Sequence, residues 1–139
     1  MYEQVTAYLG KLKPAHWKYP ENQGDGSHEH PYIAGWPEYD EITSEFMHKM
    51  YKFVPNGGKN YDKVIYENTD LDCHGDLTKV DVSKIGGDTI LYMIFSLVRS
   101  ERFSDGLFGS YVTNGTLDKW LKRLKEIDEK SNYNQGALP

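Results

Sequence analysis

Apolar side chains recur along this chain at the three- and four-residue spacings of a helix face, in separate blocks. Val5, Tyr8, Leu9 and Leu12 share a stripe that predicts a short amphipathic helix over 2–13, stopped by Pro14. Tyr39, Ile42, Phe46, Met50 and Phe53 form a second stripe, closed by Pro55-Asn56-Gly57-Gly58. Tyr61, Val64 and Ile65 suit a third, short helix over 61–67, although Val64-Ile65-Tyr66 would equally serve a strand. In the densest block Ile90, Leu91, Met93, Ile94, Leu97 and Val98 leave almost no polar face. A helix there, capped by Asp88 and running to about Phe103, should be central and mostly buried. Ser104 is expected to cap a short helix through Leu107, Phe108, Tyr111 and Val112, ended by Asn114-Gly115. Thr116 is expected to cap the last helix, with Leu117, Trp120, Leu121, Leu124 and Ile127 inward and Lys119, Lys122, Arg123 and Lys125 outward. That helix should end near Lys130, and 131–139 reads as a frayed tail.

One stretch breaks the pattern. From Pro14 to Pro37 there are four prolines and three glycines with Trp17, Tyr19, Tyr32 and Trp36 between them, which reads as a long irregular loop whose aromatics could pin it to the core. The expectation is an all-α fold: a small single-domain helical bundle over 1–130 with a long aromatic-rich N-terminal loop. A length of 139 residues fits one domain, and 38% hydrophobic against 27% charged residues fits a polar-surfaced protein. No apolar run approaches the roughly 20 residues of a membrane span. The first residues lack the basic stretch and apolar core of a signal peptide, and Cys73 is the single cysteine, so the expected location is the cytoplasm, with no membrane partner.

Charge narrows the chemistry further. The net charge of −5 argues against an obligate nucleic-acid binder, which needs clustered Lys and Arg, although the closely spaced helices at 104–113 and 116–130 keep a helix-turn-helix in view. Most of the deficit lies in residues 61–81, where six acids face two lysines. Within it Asp70, Asp72, Gly75 and Asp81 occupy positions one, three, six and twelve of a calcium loop, with Asp76 at seven, where the backbone carbonyl would serve. His74 at position five and the short Asp81 at twelve depart from the pattern, and the loop stands alone. Calcium is therefore a candidate cofactor, set against a reading in which Asp70 or Asp72 caps a turn and Asp81 a short helix. His28, His30, Cys73 and His74 are zinc-type ligands without a recognised spacing, and Cys73 beside His74 is a weak nucleophile candidate. No Gly-rich phosphate loop, H-E-x-x-H or G-x-S-x-G is present.

The other constellation is Arg99-Ser100-Glu101-Arg102-Phe103-Ser104-Asp105-Gly106. Its bland reading has Arg99 and Arg102 bonding the helix-end carbonyls or neighbouring acids, with Phe103 packed beneath. Its functional reading has two guanidinium forks on one face, one turn apart, offered to a carboxylate or phosphate. This stretch, the glycine at Gly115 and the leucine-rich helix after it resemble the C-terminal signature of a bacterial and prophage-borne family of unknown function, over residues 86–128. The resemblance implies an intracellular bacterial protein, carried on a mobile element, and implies no activity. Two function classes follow. One is a non-enzymatic interaction or regulatory module that binds a protein partner through Trp17, Tyr32, Trp36, Arg99, Glu101, Arg102, Phe103 and Gly106. The other is a small hydrolase or transferase that grips a phosphorylated or nucleotide ligand with Arg99 and Arg102.

Overall fold

A computed structural model describes residues 1–21, 24–32, 34–72 and 74–137, with side chains through Ser131. Among these, six α-helices and one small hairpin follow in the order α1 (Glu3–Thr6), β1 (His16–Lys18), β2 (Trp36–Glu38), α2 (Glu41–Phe53), α3 (Tyr61–Thr69), α4 (Gly87–Ser100), α5 (Leu107–Thr113) and α6 (Thr116–Ala137). The mostly helical expectation holds.

Everything is arranged around α4. From Thr89 to Val98 every one of its residues is buried, because α2, α3, α5 and α6 all pack against it. A helix apolar on all sides has no other stable place in a protein of this size. Phe46 and Met50 of α2, Ile65 of α3, Phe108 of α5 and Leu117, Trp120, Leu121 and Leu124 of α6 close the core with Ile90, Met93, Ile94 and Phe95. Phe95 receives the edges of Tyr51 and Tyr61, each with ring centroids 5.4 Å away. Such contacts add roughly 0.5–1.5 kcal/mol each beyond burial.

Several local expectations are corrected. The N-terminal helix is a single α turn followed by tighter turns to Lys11, because Gly10 takes φ +77° and its N–H donates to Asp118 Oδ1. Ile42 is 44% exposed; the buried stripe of α2 runs Thr43–Phe46–Met50, and Asp40 caps the helix by accepting from the Thr43 N–H. Gly86, not Asp88, precedes α4, and Asp88 instead accepts a hydrogen bond from the Tyr2 hydroxyl. At α6 the capping side chain is Asn114, whose Oδ1 accepts from the Thr116 N–H, while Gly115 takes the left-handed conformation expected after α5. The backbone of α6 stays helical past Lys130 to Ala137.

The segment read as an irregular loop contains the hairpin. Trp17 pairs with Pro37 in an antiparallel register, and a two-stranded sheet tolerates that proline because both strands are edges. Beyond the strands, the N–H groups of Asp25 and Gly26 both reach the His30 carbonyl, and the Tyr32 ring lies against Gly26.

Two adjacent glycines between α2 and α3 separate backbone strain from steric fit. Gly57 and Gly58 both have positive φ, but a Cβ on Gly57 would meet nothing, whereas one on Gly58 would collide with the Phe95 ring. Gly57→Ala should therefore cost about 1 kcal/mol and Gly58→Ala about 3 kcal/mol. Urea unfolding of the two variants checks the difference.

Candidate interaction site at the α4–α5 corner

Where α4 ends, the chain turns through Glu101–Gly106 into α5, and the side chains of this corner leave in two directions. Glu101 turns inward. Its Oε2 accepts from the Gly106 N–H at 2.6 Å, and its Oε1 accepts from the Phe108 N–H at 2.9 Å and from the Tyr39 hydroxyl at 2.6 Å. The Tyr39 oxygen in turn accepts from the Gly109 N–H at 2.9 Å. A carboxylate from the preceding helix thus satisfies the orphan donors at the start of α5, favoured by the helix dipole, so Ser104 is not the cap. Burial and the neighbouring Glu101 carboxylate push the Tyr39 hydroxyl well above its ordinary pKa. The Tyr39 ring then packs edge-on against Phe108.

Two glycines make this corner close. Gly106 sits at φ +85°, and a Cβ there would lie 2.8 Å from Trp17 Cζ2; one on Gly109 would lie 2.8 Å from the Ala15 nitrogen. The hairpin is thereby seated on the corner, and Trp17 meets Gly106 directly. Trp17 and Trp36 remain 42% and 44% exposed, and Tyr32 75%.

Arg99, Arg102 and Phe103 turn outward. Both arginines are exposed, and the ion pairs with neighbouring acids that the bland reading allows are not seen: neither meets a carboxylate within ion-pair distance among the described residues. Each instead lies over tyrosine: Arg99 over Tyr61 at 5.6 Å and over Phe95 at 5.9 Å, Arg102 over Tyr51 at 5.9 Å. Phe103 does not pack beneath them; it is 90% exposed. Of the tyrosines that meet this corner, sequence reasoning placed Tyr39 and Tyr61 on helix faces and did not single out Tyr51, and no local pattern marked any of the three as its partner.

The acidic loop is organised differently. Asp70 ends α3 with φ +61°, Asp72 accepts from the His74 N–H, Asp76 from the Thr78 N–H and hydroxyl, and Asp81 from the Ser83 N–H and hydroxyl. Those hydrogen bonds hold Asp76 and Asp81 below the usual carboxylate pKa. Asp72, Asp76 and Asp81 each accept from a backbone N–H two residues ahead. Among the described residues, no three His, Cys, Asp or Glu side chains come together as a metal site. His28 and His30 lie exposed in the hairpin loop; Cys73, the nucleophile and zinc candidate, lies outside the described residues.

A groove of about 620 Å³ runs between α1 and α2, lined by Tyr8, Lys11, Ile42, Lys49, Lys52 and Phe53 among others, and neither arginine reaches it. No helix among the described residues is long and apolar enough to cross a membrane.

Compared with known proteins, the chain matches, over residues 2–130, the sequence model of a family described as one of unknown function (DUF6508). That agrees with the coarse resemblance read from 86–128 and extends it across the hairpin and α2. No curated protein and no solved structure matches.

The inward half of the corner yields two stability predictions. Glu101→Ala removes one acceptor from three donors and should cost about 3 kcal/mol, and Tyr39→Phe about 1 kcal/mol. The effects should be non-additive in a double-mutant cycle, read by urea unfolding. A raised folded pKa means that the folded protein holds its proton while the unfolded chain releases it, so stability falls as pH rises above 10. Tyr2, pushed to about 12 by burial and Asp88, adds to the same loss. Tyr39→Phe should flatten the fall in melting temperature across that alkaline range.

Proposed function

We propose that this chain, which belongs to the DUF6508 family, is a non-enzymatic interaction module that docks a protein partner on the outward face of the α4–α5 corner and the adjoining hairpin. The observation that carries the proposal is the placement of Phe103, 90% exposed and close in sequence to two arginines that have no carboxylate partner among the described residues. Tryptophan, tyrosine and arginine carry most of the energy at protein interfaces, and large exposed apolar side chains next to them mark such surfaces. Trp17 and Trp36 extend the same surface through the contact of Trp17 with Gly106.

The rival reading, a hydrolase or transferase acting on a phosphorylated substrate, wants a carboxylate free beside the arginines. Of the motif's two acids, Glu101 is committed to three hydrogen-bond donors, and Asp105 is exposed without reaching either arginine at ion-pair distance among the described residues. The bacterial, mobile-element and cytoplasmic setting implied by the resemblance belongs to this same proposal.

Photocrosslinking tests it. With a benzoylphenylalanine at position 103 of the full chain, irradiation in cells that naturally make the protein should yield a discrete protein adduct. The same probe at Lys125, on the exposed side of α6, should not, and Arg102→Ala should weaken the adduct. Equal labelling from both positions, or none from position 103, would reject the docking reading.

A further inference from the structure

We infer that the segment docking at this corner is acidic: a peptide stretch of the partner whose carboxylates meet Arg99 and Arg102 while a neighbouring apolar side chain covers Phe103. This rests on the docking reading above and deepens it by naming the partner's chemistry.

Acids outnumber bases in this chain by 21 to 16. Exposed arginines in such a chain have abundant acids to pair with, and Lys49 and Lys63 each pair with a glutamate one turn away. Arg99 and Arg102 do not among the described residues; both lie over tyrosine rings. Each guanidinium is within 5.9 Å of a tyrosine ring centroid and at ion-pair distance from no carboxylate among the described residues, so its N–H fork is left for a carboxylate to bind in a two-pronged manner. The ring contact also restricts the side chain before binding, so less entropy is lost when the carboxylate arrives. Glu101, the acid between them in sequence, is turned into the start of α5.

A nucleic acid fits less well, because a phosphate backbone needs a track of cations and this cluster is two arginines. A small anion alone would leave Phe103 uncovered. A short acidic peptide with an aromatic or aliphatic residue satisfies both the charges and the ring.

Panning a library of short random peptides on the purified full chain tests the inference. Binders that persist on the Arg99→Ala/Arg102→Ala double variant are discarded. Recovered sequences should be enriched in Asp and Glu beside an aromatic or aliphatic residue. Individual labelled peptides should lose about tenfold in affinity on the double variant and on Phe103→Ala, lose affinity as salt is raised, and bind Lys122→Ala unchanged. All four residues are exposed, and unchanged thermal melting of the variants confirms that folding is not the cause. Enrichment of basic or purely apolar peptides, no enrichment, or binding indifferent to the double variant would overturn the proposal. So would displacement of the peptide by inorganic pyrophosphate at comparable concentration, which would assign the arginines to a phosphate. If the position-103 crosslink survives while acidic peptides fail, only the acidic partner is rejected; if the crosslink fails too, the docking reading falls with it.

Discussion

The carboxylate of Glu101 is the constraint on which the functional half of the molecule depends. It accepts from two backbone N–H groups of α5's first turn and from Tyr39, and Tyr39 accepts from a third. Those donors are orphans of a helix start, and burying them unpaired would cost several kcal/mol. One side chain therefore fixes the angle between α4 and α5. Through Tyr39 it also fixes the point where the hairpin runs into α2. Glycine is required at 106 and 109 because hairpin atoms occupy the space where their side chains would be.

Much of the helical frame was legible because apolar periodicity is a local signal that tertiary packing reinforces. Ile90 to Val98 reads as a buried helix from composition alone, and α4 is buried throughout that span. Ile42 shows the limit: it satisfies the spacing, but the turn at Asp40 rotates α2 so that Thr43 takes the inward position and accepts from the Lys13 N–H. The hairpin escaped for a different reason. Its strands are three residues long, contain a proline and alternate no hydrophobic pattern, so nothing local distinguishes them from loop. What makes them strands is the seat that Gly106 and Gly109 provide, far away in sequence.

Caps divide along the same line. Asp76 and Asp81 cap turns two residues ahead of themselves, a relation contained in the sequence, and the expectation that Asp81 caps a short helix is what the backbone there shows. The cap of α5 comes from Glu101, beyond the window in which Ser104 looked the natural choice. A spacing that suits calcium ligation suits a series of capped turns equally well, because both ask for an acid every few residues and a glycine between them.

For the arginine motif the sequence supplied the residues and left their direction open. Arg99 and Arg102, three apart, share a helix face, while Glu101 is rotated from Arg102 by about 100° of helix turn. An acid between two arginines would ordinarily be expected to neutralise them. Here the rotation sends it to α5 and Tyr39, and the arginines are left to Tyr61 and Tyr51. The inward bond and the outward exposure are then one arrangement: tying Glu101 down both stiffens the corner and keeps the acid between the two arginines away from them. A surface stiffened in this way loses little conformational freedom on binding, so even a small contact centred on Phe103 can be specific.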